Sequence, residues 1–151
     1  MELIDSGKVI SSIKLKKLEQ LIGYVIPNEF SKFILTSNGG VPREQVFFSV
    51  NEIGDNKDSE PFETDVQFFL NYDEIIEVYD NLVSEKLIKK DFLPIAFDSC
   101  GNVILLCLRN DEKHGSVFYA FHDLLPIEED YWQMVYVSNS FDSFLSMLHS
   151  L

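Results

Sequence analysis

The sequence is poor in the residues from which disulfide frameworks and metal centres are built. It has two cysteines, Cys100 and Cys107, and three histidines among 151 residues. Two cysteines with six residues between them in a strand-like stretch match neither a disulfide framework nor a metal knuckle, so both are expected to be buried free thiols. The histidines show no spacing typical of zinc or non-haem iron ligands. We therefore expect no metal and no other cofactor.

Long apolar runs are also missing. No stretch approaches the ~18 apolar residues that a membrane-spanning helix needs, and the first ten residues include Glu2 and Asp5 instead of an uninterrupted apolar segment. These absences predict a cytoplasmic protein that does not associate with membranes. Hydrophobic residues make up 46% of a chain that is close to the usual size of one domain. The prediction is a single domain over residues 1–151.

Basic residues are scarce relative to acidic ones. Twelve Lys and Arg face twenty-five Asp and Glu, for a net charge of −13. The excess is concentrated in residues 43–80, with two basic against eleven acidic residues, and in residues 110–151, with one against seven. Such a field repels nucleic acid and anionic lipid and attracts a basic protein partner. The alternative is a solvated acidic surface that only keeps the protein soluble.

The N-terminal part predicts two short helices. Ser11 and Ser12 are possible caps of the first helix, and Gly23 ends or loosens it. Pro27 suits the first turn of the second helix, where its missing N–H has no intrahelical partner to lose. The spacing i, i+3, i+4, i+7 predicts one buried face on the first helix, formed by Leu18, Leu21, Ile22 and Val25. The second helix is expected to stop at a turn formed by Asn38, Gly39 and Gly40.

The middle of the chain predicts a strand pair and a third helix. Residues 45–50 and 66–70 are rich in β-formers and are expected to pair, with residues 51–65 as a long exposed loop. Asn71 followed by Glu74 resembles a capping box, and the helix it starts is expected to end near Lys89 and Lys90.

Strands dominate the remainder. Residues 92–97, 102–108, 116–122 and 133–137 read as strands, and Ser140 caps a final helix. Pro94 marks a rigid strand entry, while Asp98 and Gly101 belong to a tight hairpin turn. The order of elements predicts an α+β fold, with a mainly antiparallel sheet of five to six strands and helices packed against it.

This ordered set of elements resembles the SUKH superfamily, which includes the yeast cell-wall-assembly regulator family and many bacterial immunity proteins. Residues 11–149 carry the resemblance in these segments: Ile26-Pro27 with Phe30, Asn38-Gly39-Gly40-Val41-Pro42, Leu93-Pro94-Ile95-Ala96-Phe97-Asp98, Gly101-Asn102, Gly115-Ser116-Val117-Phe118-Tyr119, Phe121-His122-Asp123 and Ser140-Phe141-Asp142-Ser143-Phe144-Leu145. Phe121 stands where related sequences often carry tryptophan. We interpret the recurring residues as structural: Pro27, Asn38, Gly39, Gly40, Pro94, Asp98 and Gly101.

The resemblance implies a SUKH-like fold and a cytoplasmic bacterial antidote that binds and neutralises a secreted toxin, often a nuclease, without catalysis. The alternative function within the superfamily is a regulatory scaffold that binds several endogenous proteins. Family membership does not identify the partner, because such proteins diversify their binding face.

Motifs for catalysis are absent from the sequence. His122 and Asp123 are neighbours on an extended strand and point to opposite faces, so they cannot orient one another as an acid–base pair. Ser99-Cys100-Gly101 lacks the elbow that surrounds a serine nucleophile, and Gly39-Gly40 is not followed by a phosphate-binding Lys-Ser or Lys-Thr. We therefore expect that the protein is not an enzyme and has no catalytic residue.

Two acidic patches are the candidate partner-binding residues. The first is an exposed loop with neighbouring aromatic area, formed by Asp55, Asp58, Glu60, Glu63, Asp65 and Tyr72. The second precedes the single tryptophan and comprises Glu128, Glu129, Asp130 and Trp132. An alternative for Trp132 is that it plugs the sheet edge under a solvated loop. The expected partner is a basic toxin domain bound by a monomer or weak dimer, with no nucleic acid.

Overall fold

A computed structural model describes residues 1–51, 61–123 and 131–151. In these residues the chain forms four helices: α1 Ser12–Ile22, α2 Asn28–Thr36, α3 Tyr72–Ser84 and α4 Phe141–Met147. It also forms nine strands: β1 Leu3–Ile4, β2 Val41–Pro42, β3 Phe47–Val50, β4 Phe62–Asp65, β5 Phe68–Phe69, β6 Phe92–Phe97, β7 Val103–Cys107, β8 Val117–Phe121 and β9 Gln133–Ser138.

The main sheet has five antiparallel strands in the order β5-β6-β7-β8-β9, and two-stranded sheets are formed by β1 with β2 and by β3 with β4. Every residue of the central strand β7 is buried, with Ile104 and Leu106 in the larger core cluster and Leu105 in a smaller one on the opposite face. The predicted α+β class, with helices packed on an antiparallel sheet, is confirmed.

The buried face of α1 differs from the prediction. Leu15, Leu18 and Ile22 face the core, whereas Leu21 is 64% exposed and Val25 is 65% exposed. The helix ends at Ile22 because Gly23 takes a left-handed conformation, with φ 82°, so Val25 lies beyond the helix. The predicted cap is confirmed, since the Ser11 side chain accepts a hydrogen bond from the Lys14 amide.

The predicted pairing of residues 45–50 with residues 66–70 is confirmed only at one hydrogen bond, from the Val66 amide to the Val46 carbonyl at 3.1 Å, and is wrong for the rest. Strand β3 pairs with β4, which lies inside the stretch expected to be a loop, and places Phe48 opposite Thr64. The short strand β5 pairs with β6 instead, placing Phe69 opposite Ala96. Strand β4 was predicted as a loop because it contains polar residues. Their side chains form hydrogen bonds to a turn that is distant in the sequence.

Helix α3 begins as predicted but ends earlier. Asn71 and Glu74 form the complete capping box. The helix stops at Ser84, not near Lys89 and Lys90, and Lys86 has a positive φ of 59°. At the other end of the chain His149 lies beyond α4.

Three structural residues are placed as follows. Pro27 immediately precedes α2. Pro94 lies within β6, not at its entry, beside a shift of register between Pro94 and Ala96, where a missing N–H is tolerated. Gly101 turns the β6–β7 hairpin with φ 84°, as expected.

Of the two cysteines, Cys107 is buried but Cys100 is exposed in the β6–β7 turn, so the expectation of a buried thiol is wrong for Cys100.

The turn after α2 joins four parts of the fold. Asn38 Oδ1 accepts from the Tyr72 amide at 2.8 Å, and Asn38 Nδ2 donates to the Lys8 carbonyl at 2.8 Å. Gly40 exchanges two backbone hydrogen bonds with Phe69 at the edge of the main sheet. A Cβ on Gly39, whose φ is 72°, would lie 2.5 Å from the Asn71 backbone nitrogen. The predicted turn is therefore a junction that only glycine fits.

Candidate partner-binding surface

Six of the ten predicted partner-binding residues, all of them acidic, lie outside the described part of the chain. This applies to Asp55, Asp58, Glu60, Glu128, Glu129 and Asp130. The structure places the other four, Glu63, Asp65, Tyr72 and Trp132, in different environments. The described residues therefore do not bring the predicted patches together as one surface.

Asp65 is not on an exposed loop, because it ends β4 and is 6% exposed. Its carboxylate accepts hydrogen bonds from the Ser99 amide at 2.9 Å, from the Ser99 hydroxyl, and from Gln45 Nε2 at 3.4 Å. Burial alone would raise the pKa of Asp65, but the hydrogen bonds from Ser99 and Gln45 outweigh it and lower the pKa below its ordinary value. Asp65 fastens the β3–β4 hairpin to the β6–β7 turn.

Asp98 is the second buried carboxylate at this turn, and it is 1% exposed. It accepts from the Thr64 hydroxyl at 2.7 Å, from the Tyr119 hydroxyl, and from the amides of Cys100 at 3.0 Å and Asn102 at 2.8 Å. Burial and the hydrogen bond to Asp98 both raise the pKa of the Tyr119 phenol. The predicted turn residue therefore also links β4, the hairpin turn and β8.

The two aromatic residues of the predicted surface are more enclosed than expected. Tyr72 is buried in the first turn of α3, and its hydroxyl donates to the Lys14 carbonyl at 3.1 Å. Trp132 is half-buried and packs against the smaller core cluster, and its backbone N–H donates to the Leu87 carbonyl at 2.8 Å. The placement of Trp132 matches the alternative of an aromatic plug at the sheet. Contact of either residue with a partner stays a prediction.

Glu63 points outward from β4 and meets the C-terminal tail. Its Oε1 lies 2.8 Å from Nε2 of His149, and the side chains of both residues are about half exposed. The hydrogen bond with the Met147 carbonyl and the one with Glu63 raise the pKa of His149. The backbone of His149 also pairs with Phe47, so Glu63 reinforces a contact between the tail and β3.

Helix α3 carries an acidic stripe that was not among the predicted partner-binding residues. Asp73, Glu77 and Asp80 follow one another at i, i+4 and i+7, and all three are exposed. None of them forms an ion pair with another described residue. Asp73 lies in the first turn of α3, where a negative charge suits the helix dipole. Glu77 and Asp80 lie beyond that turn and repel each other at this spacing, so helix stability does not explain those two. The helical spacing of these carboxylates is the signal that could have identified the stripe.

The exposed side of α1 has the opposite charge. Lys16 and Lys17 lie on it beside the aliphatic side chains of Ile13 and Leu21, all of them exposed. Residues 8–25 contain four lysines and one glutamate, whereas the rest of the chain has eight basic and twenty-four acidic residues. The chain therefore presents an acidic helix and a basic, partly apolar helix.

The described residues do not form a catalytic constellation. His122 Nδ1 lies 2.7 Å from Asn102 Oδ1, so an amide and not the carboxylate of Asp123 orients its ring. Among the residues that the structure describes, no three His, Cys, Asp or Glu side chains are grouped to hold a metal ion. In the same ranges, no helix has both the length and the apolar character needed to cross a membrane.

One cleft is lined by a residue with a buried carboxylate oxygen that has no hydrogen-bond partner among the described residues. The cleft has a volume of about 350 Å³ and lies between Tyr24, Tyr131 and the backbone turn at Lys90 and Asp91. Asp91 Oδ1 is this atom, and it accepts no hydrogen bond from any described residue. The described lining of the cleft combines lysine and aspartate with two tyrosines.

Comparison with known proteins gives one finding. The family model described as the SMI1/KNR4 family (SUKH-1) matches residues 10–147, which include all four helices and the whole main sheet. No curated protein matches the chain significantly.

Proposed function

Because the chain belongs to the SMI1/KNR4 family (SUKH-1), we propose that it is a non-catalytic immunity protein that binds and neutralises a secreted bacterial toxin domain. The proposed partner is basic, as a nuclease domain would be. The observation that carries this proposal, beyond the family, is the stripe of exposed carboxylates on α3 in a chain of net charge −13.

The charge arrangement supports a role in rapid capture. Asp73, Glu77 and Asp80 are exposed and are not neutralised by a described cation, so their field extends into solvent. A negative surface of this kind raises the association rate with a basic protein, while buried contacts set the dissociation rate. Exposed charges are screened within ~10 Å at 0.1 M salt, so the association rate should fall as salt rises.

The test uses the C-terminal domain of a secreted protein encoded by a neighbouring gene, which is where we expect the toxin to be found. Calorimetry should give one-to-one binding, and stopped-flow association should slow by at least about tenfold between about 0.05 M and about 0.5 M salt. The variant Asp73→Asn/Glu77→Gln/Asp80→Asn should lose most of that salt dependence.

A matched control is Glu44→Gln/Glu112→Gln/Asp123→Asn, which removes the same charge from exposed positions elsewhere. If the control slows association as much as the α3 variant, the stripe is not the docking face. If calorimetry detects no binding at all, the immunity function fails for this toxin.

The second candidate is a regulatory scaffold, and the basic, partly apolar side of α1 favours it. Ile13 and Leu21 lie beside Lys16 and Lys17 on this surface. A partner that binds there would differ in charge from the basic partner expected at the acidic stripe. Crosslinking in cells followed by isolation of the protein distinguishes the two functions. Endogenous partners that are lost in a Lys16→Glu/Lys17→Glu variant, together with no toxin, would favour the scaffold.

A further inference from the structure

The two edge strands of the main sheet are protected to different degrees. The outer side of β5 is bridged by Gly40, which exchanges two backbone hydrogen bonds with Phe69. Strand β9 pairs with β8 on one side and has no second strand among the described residues. Its sequence, Gln-Met-Val-Tyr-Val-Ser, has no charge and no proline, which are two of the features that protect edge strands in monomeric proteins.

The hydrogen bonds around β9 show which of its backbone groups face outward. The Trp132 N–H donates to the Leu87 carbonyl at 2.8 Å, away from β8. Groups along a strand alternate in direction, so Gln133 and Val135 face β8, while Met134 and Tyr136 face outward. The hydrogen bonds on the other side of β8 lead to the same assignment. The Ser116 carbonyl accepts from the Cys107 amide and therefore points to β7, so the backbone groups of the next residue along β8 point to β9.

Met134 and Tyr136 therefore present two N–H groups and two carbonyls along the open edge. None of these four groups has a hydrogen-bond partner in the described ranges. Tyr136 is 45% exposed, and its ring lies on one face of the sheet between Phe118 and Lys113 Nζ, away from the backbone edge. The free segment is short. The Leu87 carbonyl occupies the edge at Trp132, and a register shift at Val137 interrupts the strand after Tyr136.

We propose that this edge pairs antiparallel with the same edge of a second copy of the chain, with the two-fold axis at Val135. In this register Met134 of each copy lies opposite Tyr136 of the other. All four outward groups are then paired in two hydrogen-bonded residue pairs, and the main sheet becomes a continuous sheet of ten strands. This interface is independent of the proposed toxin binding.

Charge and side-chain chemistry favour a second copy as the occupant. Each copy has a net charge of −13, but β9 itself is uncharged, and Lys113 Nζ, 5.2 Å from the Tyr136 ring centroid, places a cation beside this edge that offsets part of the negative charge. The pairing also places each methionine opposite a tyrosine on the face where Met134 packs against the smaller core cluster and Tyr136 against Phe118. Because the β5 edge is closed by Gly40, assembly ends at two copies. One short strand pair buries little area, so we expect a weak dimer.

A cysteine at the axis tests the register. Opposed residues that are not hydrogen-bonded to each other have Cα atoms about 4.5 Å apart, which a disulfide can bridge. Val135→Cys in a Cys100→Ser background, which removes the exposed native thiol, should form a disulfide-linked dimer under mild oxidation. The matched control is Gln133→Cys, whose two copies lie roughly 14 Å apart in this register. Crosslinking of Val135→Cys no faster than the control would overturn the proposal.

Sedimentation of the native chain tests the dimer directly. We expect a concentration-dependent monomer–dimer equilibrium that strengthens with salt, the opposite of the response expected for toxin binding. Tyr136→Pro removes one outward N–H and leaves the β8 ladder in place, and Met134→Lys puts a like charge on each copy at the edge. Both variants should be monomeric with unchanged circular dichroism. A native chain that stays monomeric up to about 1 mM at low and high salt would exclude the dimer.

Discussion

Carboxylates occur in two contrasting environments in this protein. At the β6–β7 turn, Asp65 and Asp98 are buried, and both are surrounded by hydroxyl and amide donors. On α3, Asp73, Glu77 and Asp80 are exposed and unpaired among the described residues. A buried carboxylate persists only where donors compensate for lost hydration, so the first pair stabilises the fold. The α3 carboxylates have no such donors, and their charge remains available to a partner.

The largest effect is expected for Asp98→Ala. This substitution leaves buried donors from Thr64, Tyr119 and Asn102 without an acceptor, so the free energy of unfolding should fall by about 3 kcal/mol or more. Urea denaturation measures the change. A loss below about 1 kcal/mol would show that water replaces the carboxylate and that the turn is not an essential fastening.

Asp65→Asn tests the same environment through pH. The native pKa of Asp65 lies below its ordinary 3.8, so its contribution to stability is complete above pH 3.8 and is lost as the pH falls through the native pKa. The variant should be less stable than the native chain by about 1–2 kcal/mol at pH 7, and this difference should shrink in acid. Urea titrations from pH 7 down to pH 3 measure both values. A deficit independent of pH would rule out the ionised carboxylate as its cause.

The elements of the fold differ in how far they could be predicted from the sequence. Helix caps at Ser11, Asn71 and Ser140 could be predicted because each bonds to residues three positions away. The strands from β6 to β9 could be predicted from their apolar runs. Strand β4 could not, because its Thr64 and Asp65 bond to residues 34 positions away.

The candidate site was predicted only in outline. The sequence identified an acidic central region, but it assigned Asp65 to an exposed loop because a carboxylate between polar residues usually is exposed. The stripe on α3 depends on helical spacing, so it becomes visible only after the helix is placed. The open edge of β9 follows from strand order, which no local pattern encodes.

Glu77→Lys tests the exposed environment. The substitution changes like-charge pairs with Asp73 and Asp80 into attractive ones, so the free energy of unfolding should rise by about 0.5–1 kcal/mol. The proposed toxin should meanwhile associate more slowly. The control Glu112→Lys makes the same charge change at an exposed turn and should leave helix stability unchanged. Lower stability in Glu77→Lys would mean that this carboxylate has a structural role like that of Asp98.

The smallest effect concerns Glu63, which belongs to neither environment fully. Because the Met147 carbonyl and Glu63 raise the pKa of His149, its ring should titrate above the ordinary 6.5 in an NMR titration. The contribution of this contact is complete below pH 6.5 and is lost as the pH rises through the raised pKa. Glu63→Gln should lower the measured pKa, while Glu44→Gln should not. An unchanged pKa in Glu63→Gln would leave the Met147 carbonyl as its cause.

The junction at Asn38, Gly39 and Gly40 has an evolutionary consequence. It fixes the N-terminal segment, the start of α3 and one sheet edge through backbone groups and one amide side chain, with no room for a Cβ on Gly39. The outer side of α3 takes no part in these bonds. Substitutions on that helix should therefore leave the junction intact, so the surface of α3 can change in sequence while the architecture that presents it is inherited unchanged.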